Sequence, residues 1–87
     1  QVFSQYFHYP RLARRNGWQG MVKLSLRIEP NGELSHVRVL ETSGFEILDQ
    51  AAIESVNKIS AIPGADDWLR GSHFDTVLPV RYQLIHG

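Results

Sequence analysis

Val22, Leu24, Leu26 and Ile28 alternate with Lys23, Ser25, Arg27 and Glu29, and the run stops at Pro30-Asn31-Gly32. A period of two places every apolar side chain on one face of an extended chain, so the segment is a strand with one dry and one wet side. Asn-Gly favours tight hairpin turns because both residues tolerate a positive φ. The chain returns through Val37 and Val39, with His36, Arg38 and Glu41 interspersed. A β-hairpin with one face to cover is the fixed point around which the rest must be arranged.

The flanking segments supply the cover. Pro10 suits a first helical turn, and Pro10 to Asn16 holds Leu12 and Ala13 among three arginines before Asn16-Gly17 stops it. Ser43-Gly44-Phe45-Glu46 has the spacing of a capping box. Behind it Leu48, Ala52, Val56 and Ile59 recur at helical spacing, with Ala51 and Ile53 widening the stripe. The spacing predicts a helix that lies close to a sheet through its alanines and is broken at Pro63-Gly64. Residues 64–72 read as a polar loop holding Asp66 and Asp67, and Trp18 and Trp68 as plugs at the two ends of a small core. A last extended run, Phe74 to Ile85, alternates Leu78, Val80, Tyr82 and Leu84 with Pro79, Arg81 and Gln83. Proline cannot donate to a ladder, so this strand belongs at an edge. The fold class is α+β: α-β-β-α-β, a three-stranded antiparallel sheet with two helices packed on one face.

Eighty-seven residues, 43% of them apolar, are enough for one small core. Nine basic and nine acidic residues cancel, which removes the sequence-independent attraction to nucleic acid or anionic membranes that a net basic surface provides. The balance is uneven along the chain, +4 over residues 1–40 and −4 over residues 41–87. No cysteine is present, which excludes disulfides and thiolate metal sites. No apolar run approaches the roughly 18 residues of a membrane helix. The chain opens at Gln1 and its one methionine is Met21 inside a strand, so it reads as a domain cut from a longer parent or as a processed product.

Catalytic constellations do not assemble. His8, His36, His73 and His86 have no metal-binding spacing, although His73 and Asp75 alternate across a strand start. No serine sits in a GxSxG elbow, and Asp66-Asp67 is explained by solvation. Gly17-Trp18-Gln19-Gly20 matches a GxxG loop formally, but it joins a helix to a strand without a basic residue and reads as a tight turn. Arg11, Arg14 and Arg15 form a solvated face or meet an acidic partner. Phe3, Tyr6, Phe7 and Tyr9 cover apolar surface within the domain or line a groove. The physical opportunity is the edge itself, because its unpaired N–H and C=O groups can be satisfied by another extended chain. The counter-reading is an edge merely protected by Pro79 and Arg81.

Tyr9-Pro10, an Ala-containing helix, Gly17-x-x-Gly20-x-Val22, Ile28, Asn31-Gly32, Ser43-Gly44, Leu48-Asp49-x-Ala51-Ala52, Val56, Pro63 and Pro79-Val80-Arg81-Tyr82-x-Leu84 occur in this order. Over roughly residues 9 to 84 the pattern resembles the TonB C-terminal domain family. Residues 1–8 then read as a flexible lead segment and 9–87 as the TonB-like domain. The family's Gln-Pro-x-Tyr-Pro lead corresponds to Tyr6-Phe7-His8-Tyr9-Pro10, which keeps Tyr-Pro and lacks Gln-Pro.

The resemblance implies a non-enzymatic periplasmic domain of a protein anchored in the inner membrane of a Gram-negative bacterium, with no cofactor and no metal. Its partners are outer-membrane receptors for iron chelates, haem or vitamin B12, gripped at the TonB box and plug, and the ExbB–ExbD motor through the parent's N-terminal part. The box adds as a strand beside the last strand, which corresponds here to Val77, Leu78, Pro79, Val80, Arg81, Tyr82, Gln83 and Leu84. Tyr6, Tyr9, Arg11, Arg14 and Arg15 are secondary receptor contacts in this reading. Alternatives are a TolA-like envelope-integrity domain, a small nucleic-acid-binding α+β domain, and homodimerisation through edge strands.

Overall fold

The computed structural model describes residues 7–59 and 61–84. Its elements run α1 (Arg11–Arg15), β1 (Gly20–Ile28), β2 (Leu34–Glu41), α2 (Glu46–Asn57), α3 (Ala65–Leu69) and β3 (Phe74–Tyr82). The three strands form one antiparallel sheet in the order β2-β1-β3. The α+β architecture is the expected one, with a third, short helix inside the stretch expected to be loop.

Alternation along β1 has the predicted consequence. Val22, Leu24, Leu26 and Ile28 are buried, while Met21, Lys23, Ser25 and Arg27 stay half-exposed on the other face. Leu48, Ala51, Ala52 and Val56 of α2 are buried against this dry side, and Ala13 of α1 with Ala65 and Leu69 of α3 complete the core. Phe7, ahead of α1, is buried there too. The His8 N–H donates to Ser55 Oγ at 2.9 Å, and Ser55 Oγ donates to the Ala51 carbonyl at 2.8 Å. This lets a buried hydroxyl sit in the helix without an orphaned group.

Two turns differ from the expectation. The hairpin closes through the Gly32 N–H to the Glu29 carbonyl at 2.7 Å, and Asn31 Oδ1 accepts from the Glu33 N–H at 3.0 Å. Within residues 29–33 Gly32 alone has a positive φ, +91°, so this is a wider turn with one left-handed residue, not a two-residue one. At α2 the N-cap is Phe45, and no side chain caps it. The Ser43–Glu46 capping box does not form. Asp49, in the first turn, reaches back instead to accept from the Ser43 N–H at 2.9 Å, Ser43 Oγ at 2.8 Å and Thr42 Oγ1. The helix also ends at Asn57, well before Pro63-Gly64.

Gly32 receives the chain that follows α2. Its carbonyl accepts from the Ile62 N–H at 2.8 Å, and a β-carbon on Gly32 would stand 2.7 Å from the Ile62 carbonyl oxygen. From there α3 runs between two left-handed residues, Gly64 at φ 78° and Arg70 at φ 51°. Ala65 and Leu69, one turn apart, anchor it to the core. Trp68 is 54% exposed, which corrects its expected role as a core plug. Trp18 does close an end of the core, half-buried and stacked on Phe45 at 5.2 Å.

Candidate functional site: the free edge of the sheet

Two strands flank β1, and the two edges differ. Between β1 and β2 the register slips by one residue between Lys23 and Leu24 and again between Ser25 and Arg27. His36 lies in the second irregularity at φ 53°, a costly conformation for a non-glycine residue. Such bulges twist an edge away from further pairing. By contrast β3 meets β1 in an unbroken register from Gly20↔Tyr82 to Ile28↔Phe74. It is regular, and among the described residues β1 is its one neighbour.

Backbone groups on β3 alternate in direction as its side chains do. Val80 and Tyr82 are buried and Leu78 is half-buried under the helices, whereas Val77, Pro79 and Arg81 are exposed. In the same even-numbered phase, the Leu84 N–H donates to Gln19 Oε1 at 2.7 Å, just ahead of β1. Even residues therefore turn their main-chain groups to β1, and the odd ones turn theirs outward. The outer flank offers N–H and C=O from Asp75, Val77 and Arg81. Pro79 offers a carbonyl alone, at the one phase where its missing N–H leaves no β1 carbonyl unpartnered.

Of the expected strand, Val77, Leu78, Pro79, Val80, Arg81 and Tyr82 lie in β3, and Gln83 and Leu84 continue past its end. Ile85 and Tyr6 fall outside the described residues. The Tyr9 ring meets Tyr82 edge-on at 5.1 Å, and its hydroxyl donates to the Trp18 carbonyl. Burial raises the Tyr9 pKa and Arg14 nearby opposes that rise. Tyr9 thus braces the last residue of β3 from the helix side. Arg11, Arg14 and Arg15 are exposed on α1, away from any acidic group within 4.0 Å among the described residues.

Charge pairs tie the open face together. Arg27 Nε lies 2.8 Å from Asp75 Oδ1, joining β1 to β3, and Lys23 lies 3.6 Å from Glu41, joining β1 to β2. The hydrogen bond from Arg27 holds the Asp75 carboxyl below its ordinary pKa, and the same bond raises that of Arg27. His73 Nε2 is 4.0 Å from Asp75 Oδ2, but Asp75 is committed to Arg27. Among the described residues no three His, Cys, Asp or Glu side chains converge on a metal position. On the dry side the Tyr82 hydroxyl is buried without a partner among the described residues. Its pKa is pushed up to about 12, chiefly by burial and further by the Asp49 charge and Tyr9.

Three residues that matter to this edge, though named in the sequence patterns, were not read there as part of it. Gln19 pins the end of the strand. Asp49 organises the loop beneath Tyr82. Phe74, which begins β3, is 48% exposed and meets Trp68 edge-on at 6.1 Å. The signal for the last was Trp68 itself, an aromatic residue in an otherwise polar stretch.

Comparison with known proteins gives the family and the fold. Residues 5–84 match the family model described as Gram-negative bacterial TonB protein C-terminal. Protein tonB2 of Pseudomonas aeruginosa is 44% identical over 55 residues, 63% of this chain and 20% of that protein. Protein TonB of Vibrio cholerae is 32% identical over 76 residues, 87% of this chain and 31% of that protein. The chain thus spans about a fifth to a third of these relatives. The solution structure of the Pseudomonas aeruginosa TonB CTD superposes with a TM-score of 0.73 at 20% identity, covering 93% of this chain and 81% of that one. A Helicobacter pylori TonB-CTD gives 0.71 at 24% identity, covering 99% and 77%. With the family model spanning nearly the whole chain and the fold shared with these solved structures, the chain belongs to the TonB C-terminal domain family.

Proposed function

We propose that this domain is the non-enzymatic, periplasmic receptor-capturing end of a TonB-like energy transducer. It takes the TonB box of an outer-membrane receptor as an added strand along Val77 to Leu84, and the parent passes on inner-membrane proton-motive energy, drawn from an ExbB–ExbD motor, for uptake of iron chelates, haem or vitamin B12. The observation that carries the reading is the unbroken outer flank of β3, which no other described strand covers, against the bulged β2 edge on the opposite side of the sheet. Each main-chain hydrogen bond to an incoming strand contributes about 1 kcal/mol net, and a rigid, pre-extended edge has little ordering entropy left to lose on binding. Tyr9 meets Tyr82 at the end of this edge, which supports Tyr9, with Arg11, Arg14 and Arg15 exposed on the neighbouring α1, as secondary receptor contacts in this reading.

The test is a titration of the isotope-labelled chain with peptides matching receptor N-terminal segments, followed by amide shifts. Shifts concentrated on residues 75–84 are expected. Shifts confined to the hairpin turn or to Asp66-Asp67, with residues 77–84 silent, would overturn the assignment.

A further inference from the structure

We infer that Trp68 and Phe74 form an apolar seat at the start of the β3 edge, which selects a strand carrying a large aliphatic or aromatic residue flanked by a basic one. The inference rests on the strand-addition reading and adds to it the side-chain chemistry of the occupant. Two large aromatic rings, 54% and 48% exposed and in edge-to-face contact at 6.1 Å, are unusual on so small a surface. They are also held in place. Ala65 and Leu69 are buried and fix α3 on the core, left-handed residues bound the helix at both ends, and Phe74 is in register with Ile28 of β1.

Phase then decides what meets them. Phe74 is an even residue of β3, so its side chain lies on the helix-bearing face. On an added strand, residues opposite the even positions of β3 direct their side chains to that same face. The residue beside Phe74 and Thr76 is thus carried onto the two rings, where a large apolar side chain buries area that alanine would leave wet. Charge narrows the choice. Asp66 and Asp67 directly precede Trp68, both exposed and with no cation within 4.0 Å among the described residues. Arg70 and His73 lie in the same stretch of chain, between Trp68 and Phe74, and Asp75 is held by Arg27. With histidine neutral, residues 66–75 together with Arg27 carry a net charge of −1, which favours lysine or arginine beside the apolar residue and disfavours glutamate.

The experiment uses the 87-residue chain and nine-residue receptor-segment peptides scanned with Leu-Lys, Ala-Lys and Leu-Glu pairs, read by backbone amide shifts and the Trp68 indole N–H. Expected are joint shifts of residues 75–81 and the indole, and an affinity about tenfold higher for one register of Leu-Lys than for Ala-Lys. That preference should vanish in Trp68→Ala, whose ring is exposed and whose loss leaves the core intact. Edge shifts with a silent indole, and no change of preference in Trp68→Ala, would overturn the seat and leave strand addition standing. An indole shift with a silent edge would overturn the strand-addition reading, and the seat as placed here with it. Silence of both across the whole scan would overturn both.

Discussion

Gly20 touches Ser43 backbone to backbone: a β-carbon on Gly20 would stand 2.7 Å from the Ser43 carbonyl oxygen and 3.1 Å from the Ser43 Cβ. The first residue of β1 and the loop before α2 thus meet where only hydrogen fits. Gly20→Ala should therefore lower stability by about 1–3 kcal/mol, the usual cost of overpacking a rigid contact. Urea unfolding of the two proteins checks this, and an unchanged midpoint would show that the loop yields freely.

Asp49 organises that loop. Burial pulls its pKa upward, but hydrogen bonds from Thr42 Oγ1, the Ser43 N–H and Ser43 Oγ outweigh burial and leave it below the ordinary 3.8. A carboxyl lowered in this way stabilises the fold above its unfolded pKa, and that stability is lost as pH falls below about 4. Asp49→Ala should cost about 2 kcal/mol at pH 7. The gap between variant and parent should shrink in urea titrations stepped from pH 5 to pH 2.

Tyr82 has the opposite sign. Its phenol stays protonated in the fold up to about pH 12, against 10.0 unperturbed, so the associated stability is complete below pH 10 and disappears between 10 and 12. Tyr82→Phe removes both the unpartnered hydroxyl and this alkaline loss. Thermal unfolding should show it equal to the parent or up to about 1 kcal/mol more stable at pH 7. Its advantage should widen as pH is raised from 9 to 11.

Pro79 leaves one gap in the outward ladder. Pro79→Val restores an N–H at that position, on a strand whose conformation valine accepts readily. Peptide affinity should rise about fivefold, the equivalent of one hydrogen bond of about 1 kcal/mol. Elution volume should also become more concentration-dependent, because a continuous edge accepts a second copy more readily. Unchanged affinity in calorimetric titration would mean that the proline faces β1.

Much of the fold was legible because its signals are periodic. The β1 alternation and the α2 stripe each repeat often enough to fix which face is dry, and Pro79 alone located the edge. What could not be read was short or positional. Five residues of α3 are too few to establish a helical period, so Ala65 and Leu69 were not seen as an anchored pair. Ser43 and Glu46 have capping-box spacing, yet the helix starts after Phe45 and leaves the serine two residues too far upstream. Asp49 had no sequence signal beyond its place in the family pattern, because its partners lie six and seven residues behind it across a loop. Trp68 was assigned inward on composition, which is silent about direction; only the anchoring of its neighbours Ala65 and Leu69 turns it out.

The central position of β1 has a mechanical corollary. In the strand-addition reading, tension entering at Gly20 and leaving through a strand docked on β3 crosses two ladders in series: the one from Gly20↔Tyr82 to Ile28↔Phe74 within the domain and the one between β3 and the docked strand. That path bypasses the hairpin turn, β2, α2 and α3, although the covalent chain runs through all of them between the two strands. When the opposing force is directed toward the Ile28 end, the rungs are sheared together instead of being unzipped one by one. The remainder of the domain then serves as a clamp that keeps two ribbons aligned, and it is not itself stretched.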